Sequence, residues 1–202
     1  MNQLDKIYER NQSEFLGFAR EYGQYLSQLI EQLPYQELDR FVEILFNARD
    51  KGHTVYFIGN GGSAATASHF SNDFGIGPRL TENHFKAVSL TDNMAVITAI
   101  GNDFGYEYIF SKQLEVVMKP GDVLVAISAS GNSPNIIKAC EYAKLMGNTV
   151  VGLTGFDGGE LMKISDIKVH VGGEKGEYGP VEDLHMVIDH LVGSYINRKV
   201  KS

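Results

Sequence analysis

The sequence predicts an α/β fold: a doubly wound, parallel five-stranded sheet flanked by helices, with a helical extension at the N-terminus. Two observations predict it. From residue 52 onward, short apolar runs alternate with helical segments, the order of a parallel sheet with crossover helices, whereas the preceding residues carry only helical periodicity. Two of the strand-to-helix junctions are also built from Gly, Ser and Asn, as expected where the ends of parallel strands receive a ligand.

Leu4, Tyr8, Phe15, Phe18, Tyr22, Leu26, Leu29 and Leu33 recur mostly at three- and four-residue steps and predict one long amphipathic helix. Pro34 breaks it. Leu38, Phe41, Val42, Leu45 and Phe46 then outline a second helix that ends near Lys51-Gly52. Such a pair has little partner surface of its own, so residues 1–51 are expected to pack on the following domain and to contribute to a homo-oligomer. The strand candidates that follow are TVYFIG, KAVSL, DVLVAI, TVVGLT and DIKVHV. Helices are expected at Ser63–Phe74, Asn93–Ile100, Tyr108–Met118, Asn135–Met146 and Gly158–Lys163, with a last one from about Val181 to Val200. The stretch GGEKGEYGP reads as a loop before that helix. No second domain boundary, repeat or low-complexity tract interrupts residues 1–202, which read as a single domain.

With 43% hydrophobic residues the chain can bury a sizeable core, which excludes disorder. A net charge of −7 argues against nucleic-acid binding, because phosphate backbones reward excess Lys and Arg. The single Cys140 cannot form an internal disulfide, and the opening residues lack an apolar signal core, so a reducing cytoplasm is expected. No apolar run reaches the ~20 residues that span a bilayer.

The first chemical junction is YFIGNGGSAATASHF, where Asn60, Gly61, Gly62 and Ser63 lie between a strand and a helix. Glycine lets backbone approach a ligand, the serine supplies a hydroxyl, and free helix N–H groups favour an anion. Neither the phosphate loop ending in Gly-Lys-Ser/Thr nor the G-x-G-x-x-G fingerprint of dinucleotide folds is present. The second junction, DVLVAISASGNSPN, places Ser128, Ser130 and Ser133 as a neutral cradle for a phosphate, with Pro134 starting the helix. His69 and Asp73 are spaced i, i+4 and share a helix face. On the last helix, Leu184, Val187, Ile188, Leu191 and Tyr195 read as an apolar stripe. Glu182, His185, Asp189 and His190 then fall on a polar side that solvation alone would explain.

The segments GNGGSAATASHF, SLTDNMAVITAIGNDFGYEYIFSKQ, ISASGNSPNIIKA, LTGFDGG and HMVIDH resemble the sugar isomerase (SIS) domain, and within it the phosphoheptose isomerases. The resemblance runs from about Thr54 to the last helix. It implies a tetramer that interconverts sedoheptulose 7-phosphate and an aldoheptose 7-phosphate. It makes Ser128, Ser130 and Ser133 the phosphate contacts, and puts Asn60, Gly61, Gly62, Asn102 and Asp103 against the sugar. The family's acid–base groups or zinc ligands fall on His69, Asp73, Glu182 and His190. Two positions depart from its pattern: Asp73 stands for a Glu, and Glu182 for a Gln. Gly179 and Pro180 also replace charged residues common before the last helix.

A carboxylate one methylene shorter withdraws its oxygen by more than about an ångström, which matters where proton transfer needs hydrogen-bond contact. As an isomerase, the chain would use Asp73 or Glu182 as base and His190 as the acid serving the oxygens, with no redox cofactor. Zinc on His69, Asp73, Glu182 and His190 is chemically acceptable, although Glu182 and His190 lie about 12 Å apart along a helix. Two other readings compete. One is a non-catalytic SIS regulator resembling the protein that associates with the DnaA initiator, which GNGGSAATASHF and TDNMAVITAI also resemble. The other is an isomerase for a different sugar phosphate. His190 and GNDFGYE favour the heptose enzyme, because an acid–base residue is needed only for chemistry.

Overall fold

Helical periodicity before residue 52 produces three helices rather than the expected pair. The structure, a computed structural model, describes residues 1–201 and places α1 at Gln3–Arg10, α2 at Phe15–Glu31 and α3 at Tyr35–Asp50. Asn2 and Asp5 cap α1 reciprocally through side chain and backbone. The break that spacing did not reveal is polar. Asn11 donates from Nδ2 to the Ile7 carbonyl at 2.9 Å and to Glu21 Oε1 at 2.7 Å, while Arg10 pairs with Glu21. A helix continuous through residues 11–14 would forfeit these bonds, so α1 folds back on α2.

Past Gly52, whose φ of +70° ends α3, the chain alternates strictly. Strand β1 (Thr54–Gly59) leads into α4 (Gly62–Gly75), and β2 (Lys86–Ser89) into α5 (Met94–Asp103). A 3₁₀ turn at Tyr106–Tyr108 precedes α6 (Ser111–Val117), which begins three residues after the expected start at Tyr108. Then come β3 (Val123–Ser128), α7 (Pro134–Leu145), β4 (Thr149–Thr154), α8 (Gly159–Ile164), β5 (Ile167–His170) and α9 (Tyr178–Lys199). All neighbouring strands pair in parallel, in the order β2-β1-β3-β4-β5.

Side-chain alternation divides the core into two layers, one on each face of the sheet. Val55 and Phe57 of β1 with Val123, Val125 and Ile127 of β3 face Phe41, Phe70, Phe74, Leu184 and Ile188 of α3, α4 and α9. Tyr56, Ile58, Leu124 and Ala126 face Phe110, Leu114, Ile136 and Cys140 on the other side. Phe57 and Phe70 stack at 5.4 Å, and Phe70 meets Phe74 edge-on at 5.3 Å. This aromatic wedge fixes α4 on the sheet, and with it the direction in which His69 and Asp73 point.

The sheet order places the site. After β1 the chain winds outward to β2 and then returns past β1 to β3, so the winding reverses between β1 and β3. Gly59 pairs with Ile127, and Ser128 follows directly, so both Gly/Ser junctions leave the sheet side by side at its carboxyl edge. Helix α9 starts at Tyr178, earlier than expected, because Pro180 is tolerated in a first helical turn that needs no N–H there. Its start is pinned by Glu177, which is fully buried. That carboxylate accepts from Leu4 N at 2.8 Å, Tyr25 OH at 2.6 Å and Glu174 N at 2.9 Å, tying α1 and α2 to the turn before α9. Among the described residues, no helix is long and apolar enough to cross a membrane.

Candidate active site

At the β3–α7 junction the hydroxyls are held by their own backbone. Gly131 N donates to Ser128 Oγ at 3.1 Å and Asn132 N to Ser130 Oγ at 3.3 Å. Gly131 takes φ +64°, and a Cβ there would lie 2.1 Å from the Gly158 carbonyl, so only glycine permits the turn. Ser133 is the N-cap of α7 but makes no side-chain capping bond, which leaves its hydroxyl for a ligand at the positive end of the helix. Ser128, Ser130 and Ser133 line a cavity of about 150 Å³ together with Asn60, Ser63, Tyr178 and Glu182. Larger hollows exist, such as one of about 660 Å³ beside Phe46, Arg49 and Leu80, but none of those joins the two Gly/Ser junctions.

The two junctions are bolted together by an amide pair that the sequence reading passed over. Asn60 Nδ2 donates to Asn135 Oδ1 at 2.9 Å, and Asn135 Nδ2 returns a bond to Asn60 Oδ1 at 2.8 Å. Tyr106 OH adds a third bond to Asn60 Oδ1 at 3.0 Å. Asn135 is almost fully buried, and its position directly after Pro134 in a helix start gave no distinguishing signal. Opposite them, the Glu182 carboxylate sits against Gly62. A Cβ on Gly62 would lie 2.2 Å from Glu182 Oε2. Glycine there makes room for the carboxylate at the start of α4, where helix N–H groups favour it.

A charged cluster is shared by α4 and α9. His69, Asp73, Asp189 and His190 each offer a donor atom, and these atoms all lie within 4.8 Å of one another. His69 Nδ1 is 2.5 Å from Asp189 Oδ2, and the His69 and His190 rings meet edge-on at 5.1 Å. Burial pushes the Asp189 carboxyl up to about 6, against the pull of the His69 hydrogen bond. The same hydrogen bond raises His69. His185, on the same helix, is fully buried, and burial lowers it to about 4.

The structure therefore brings together His69, Asp73 and His190 as one group, and Asn60, Ser63, Ser128, Ser130, Ser133 and Glu182 around the cavity. Glu182 stands outside the donor cluster that the four-ligand expectation gave it, because it faces Gly62 and the cavity; Asp189 occupies the fourth place. The solvated polar side expected for α9 is also corrected. His185 and Asp189 are fully buried, whereas Leu191 and Tyr195 are about half exposed. The helix is wrapped on several sides by α2, α3 and α4, so His185 faces β4 and Asp189 faces α4, whereas His190 is exposed as expected and Glu182 half-buried. Asn102 and Asp103 end α5 on the surface, where Asn102 Nδ2 donates to Asp103 Oδ1 at 2.8 Å, and they do not line the cavity. Gly61, with φ +53°, is the N-cap of α4.

A neutral anion cradle with a carboxylate on its wall, at the switch point of a parallel sheet, defines an α/β domain for small phosphorylated ligands. The chain belongs to the SIS domain family, whose model matches residues 17–155. It is 38% identical over 178 residues to the phosphoheptose isomerase of Clostridium acetobutylicum, covering 88% of this chain and 85% of that one. With the phosphoheptose isomerase of Akkermansia muciniphila it shares 36% over 164 residues, covering 81% and 86%. The solved structure of phosphoheptose isomerase from Neisseria gonorrhoeae superposes with a TM-score of 0.78 at 30% identity, covering 89% of this chain and 96% of that one.

Proposed function

We propose that the protein is a phosphoheptose isomerase that interconverts sedoheptulose 7-phosphate and D-glycero-D-manno-heptose 7-phosphate through an enediol. The observation that carries this reading is the serine cradle at the ends of β1 and β3, with the His69–Asp73–His190 group farther along α4 and α9, the two helices whose first turns border it. The phosphate sits on Ser128, Ser130 and Ser133 at the start of α7, and the sugar extends past Asn60, Gly61 and Gly62 toward α9. Asp73 removes the proton from C1 of the ketose as the C1–C2 double bond forms. His190 protonates the carbonyl oxygen at C2, giving the enediol. Return of a proton to C2, with loss of the proton on the C1 oxygen, completes the aldose, and no electrons leave the substrate. Glu182, on the cavity wall, accepts hydrogen bonds from sugar hydroxyls and orients the chain. Asn102 and Asp103 approach the sugar only if α5 moves or a second copy supplies them.

The residues present fit a zinc ion. Two imidazoles and two carboxylates converge, and one of the carboxylates, Asp189, leaves Oδ1 buried without a partner among the described residues. His69, Asp73 and His190 would hold it. Bound there, zinc would polarise the carbonyl and stabilise the enediolate. Incubating the pure protein with sedoheptulose 7-phosphate, with and without chelator, tests both statements. NMR should show the aldose phosphate appearing; saturable binding without turnover would overturn the enzyme in favour of a binding protein.

Residues 1–51 are proposed to cover one another in a homotetramer, an arrangement supported by Phe15 and Leu16 at the start of α2, 84% and 61% exposed. Light scattering on the eluted protein checks the mass. A reducing cytoplasm suits a chain whose one cysteine is buried and unpaired.

A further inference from the structure

Asp189 has no part in the chemistry just described, yet it is a fully buried carboxylate in the same cluster. It lies on α9, is fully buried, and directs Oδ2 to His69 Nδ1 at 2.5 Å. Its other oxygen, Oδ1, has no partner among the described residues. Leaving a buried oxygen unpaired costs about 1–3 kcal/mol, so an apolar side chain would serve packing better. His69, in contrast, is 40% exposed in its side chain and edges onto His190. One nitrogen of its ring is therefore anchored in the protein while the ring reaches the open side of the cluster.

We propose that Asp189 is a positioning residue that holds His69 with its proton on Nδ1, so that the Nε2 lone pair faces the reacting sugar and any metal bound beside it. The inference rests on the active-site reading above. An ionised carboxylate can only accept, so the nitrogen it touches is the one that carries hydrogen, and the neutral ring is left with its lone pair on Nε2. The same bond fixes ring rotation, which a half-exposed imidazole on a helix surface would otherwise keep free. Carboxylates behind ligating histidines act this way in metal sites generally, where their loss lowers metal affinity 10–100-fold. The sequence concealed the pairing, because residues 69 and 189 are 120 positions apart and Asp189 reads as one more polar residue on a helix.

The test does not depend on turnover. In metal-free protein labelled with ¹⁵N-histidine, above the ordinary histidine titration range, the His69 ring should show its proton on Nδ1, its signals being identified by their loss in His69→Gln. In Asp189→Asn, whose amide can donate to Nδ1, the proton should shift to Nε2. Affinity for zinc ion alone, measured by calorimetric titration, should fall about 10–100-fold in Asp189→Asn and in Asp189→Leu. The melting temperature of Asp189→Leu should stay level or rise, since the unpaired oxygen is gone. A proton on Nε2 in the unaltered protein would overturn the proposal without any variant. So would unchanged zinc affinity in both variants. If the unaltered protein holds no zinc, the tautomer alone decides the proposal, and absence of sugar turnover would count only against the isomerase reading.

Discussion

The two halves of the site are built by opposite means. The cradle of Ser128, Ser130 and Ser133 is neutral, lies within six consecutive residues, and takes its attraction for phosphate from hydroxyls and a helix start. The cluster of His69, Asp73, Asp189 and His190 is charged and titratable, and two helices from distant parts of the chain must pack to create it. Labour is divided between them: a part that only holds an invariant anion can be a rigid local turn, whereas a part that moves protons needs partly enclosed groups that tune one another.

The largest expected effect breaks the cluster while sparing the cradle. Asp73→Asn should lower kcat about 10²–10⁴-fold, the range of general acid–base catalysis, with KM changed little. Steady-state kinetics on sedoheptulose 7-phosphate check it, and Glu182→Gln, which leaves a hydrogen-bonding side chain on the cavity wall, should cost far less.

The next concerns His185, which shares α9 with His190 but belongs to packing. Burial holds it near 4 in the folded protein against about 6.5 unfolded. Between those values the unfolded chain binds more protons at this residue, so its contribution to stability falls as pH drops from about 6.5 to 4, by about 3 kcal/mol. Asp189, raised to about 6, works in the opposite sense over the same window, so the loss is read as the difference between the unaltered protein and His185→Gln in urea unfolding at both ends of the window.

Smaller effects fall on the cradle. Ser133→Ala should weaken inorganic phosphate and raise KM by about fivefold, the worth of one neutral hydrogen bond, with kcat nearly unchanged. Gly62→Ala should displace the Glu182 carboxylate, whose flexible end can give way. The expected result is a lower kcat/KM, by less than about tenfold, with little change in melting temperature.

The same contrast explains what the sequence made legible. The strands, their parallel order and the cradle could be read because apolar runs, Gly/Ser junctions and Pro134 act locally. His69 with Asp73 was legible as an i, i+4 pair. The split between α1 and α2 was not, since apolar spacing continues across it while Asn11 and Glu21 make the turn. Nor was the inward face of α9. Periodicity separates apolar from polar residues, but it cannot tell that a polar face meets another helix. Asp189 and His185 are buried for that reason, and Glu182 was assigned to the cluster although it faces Gly62.

The central claim is that the cradle binds and the cluster reacts. His190→Ala, measured for both binding and turnover of sedoheptulose 7-phosphate, tests it most directly. The account predicts affinity within a fewfold of the unaltered protein and turnover reduced by about 10² or more. Turnover that survives the substitution, or binding that vanishes with it, would contradict the account.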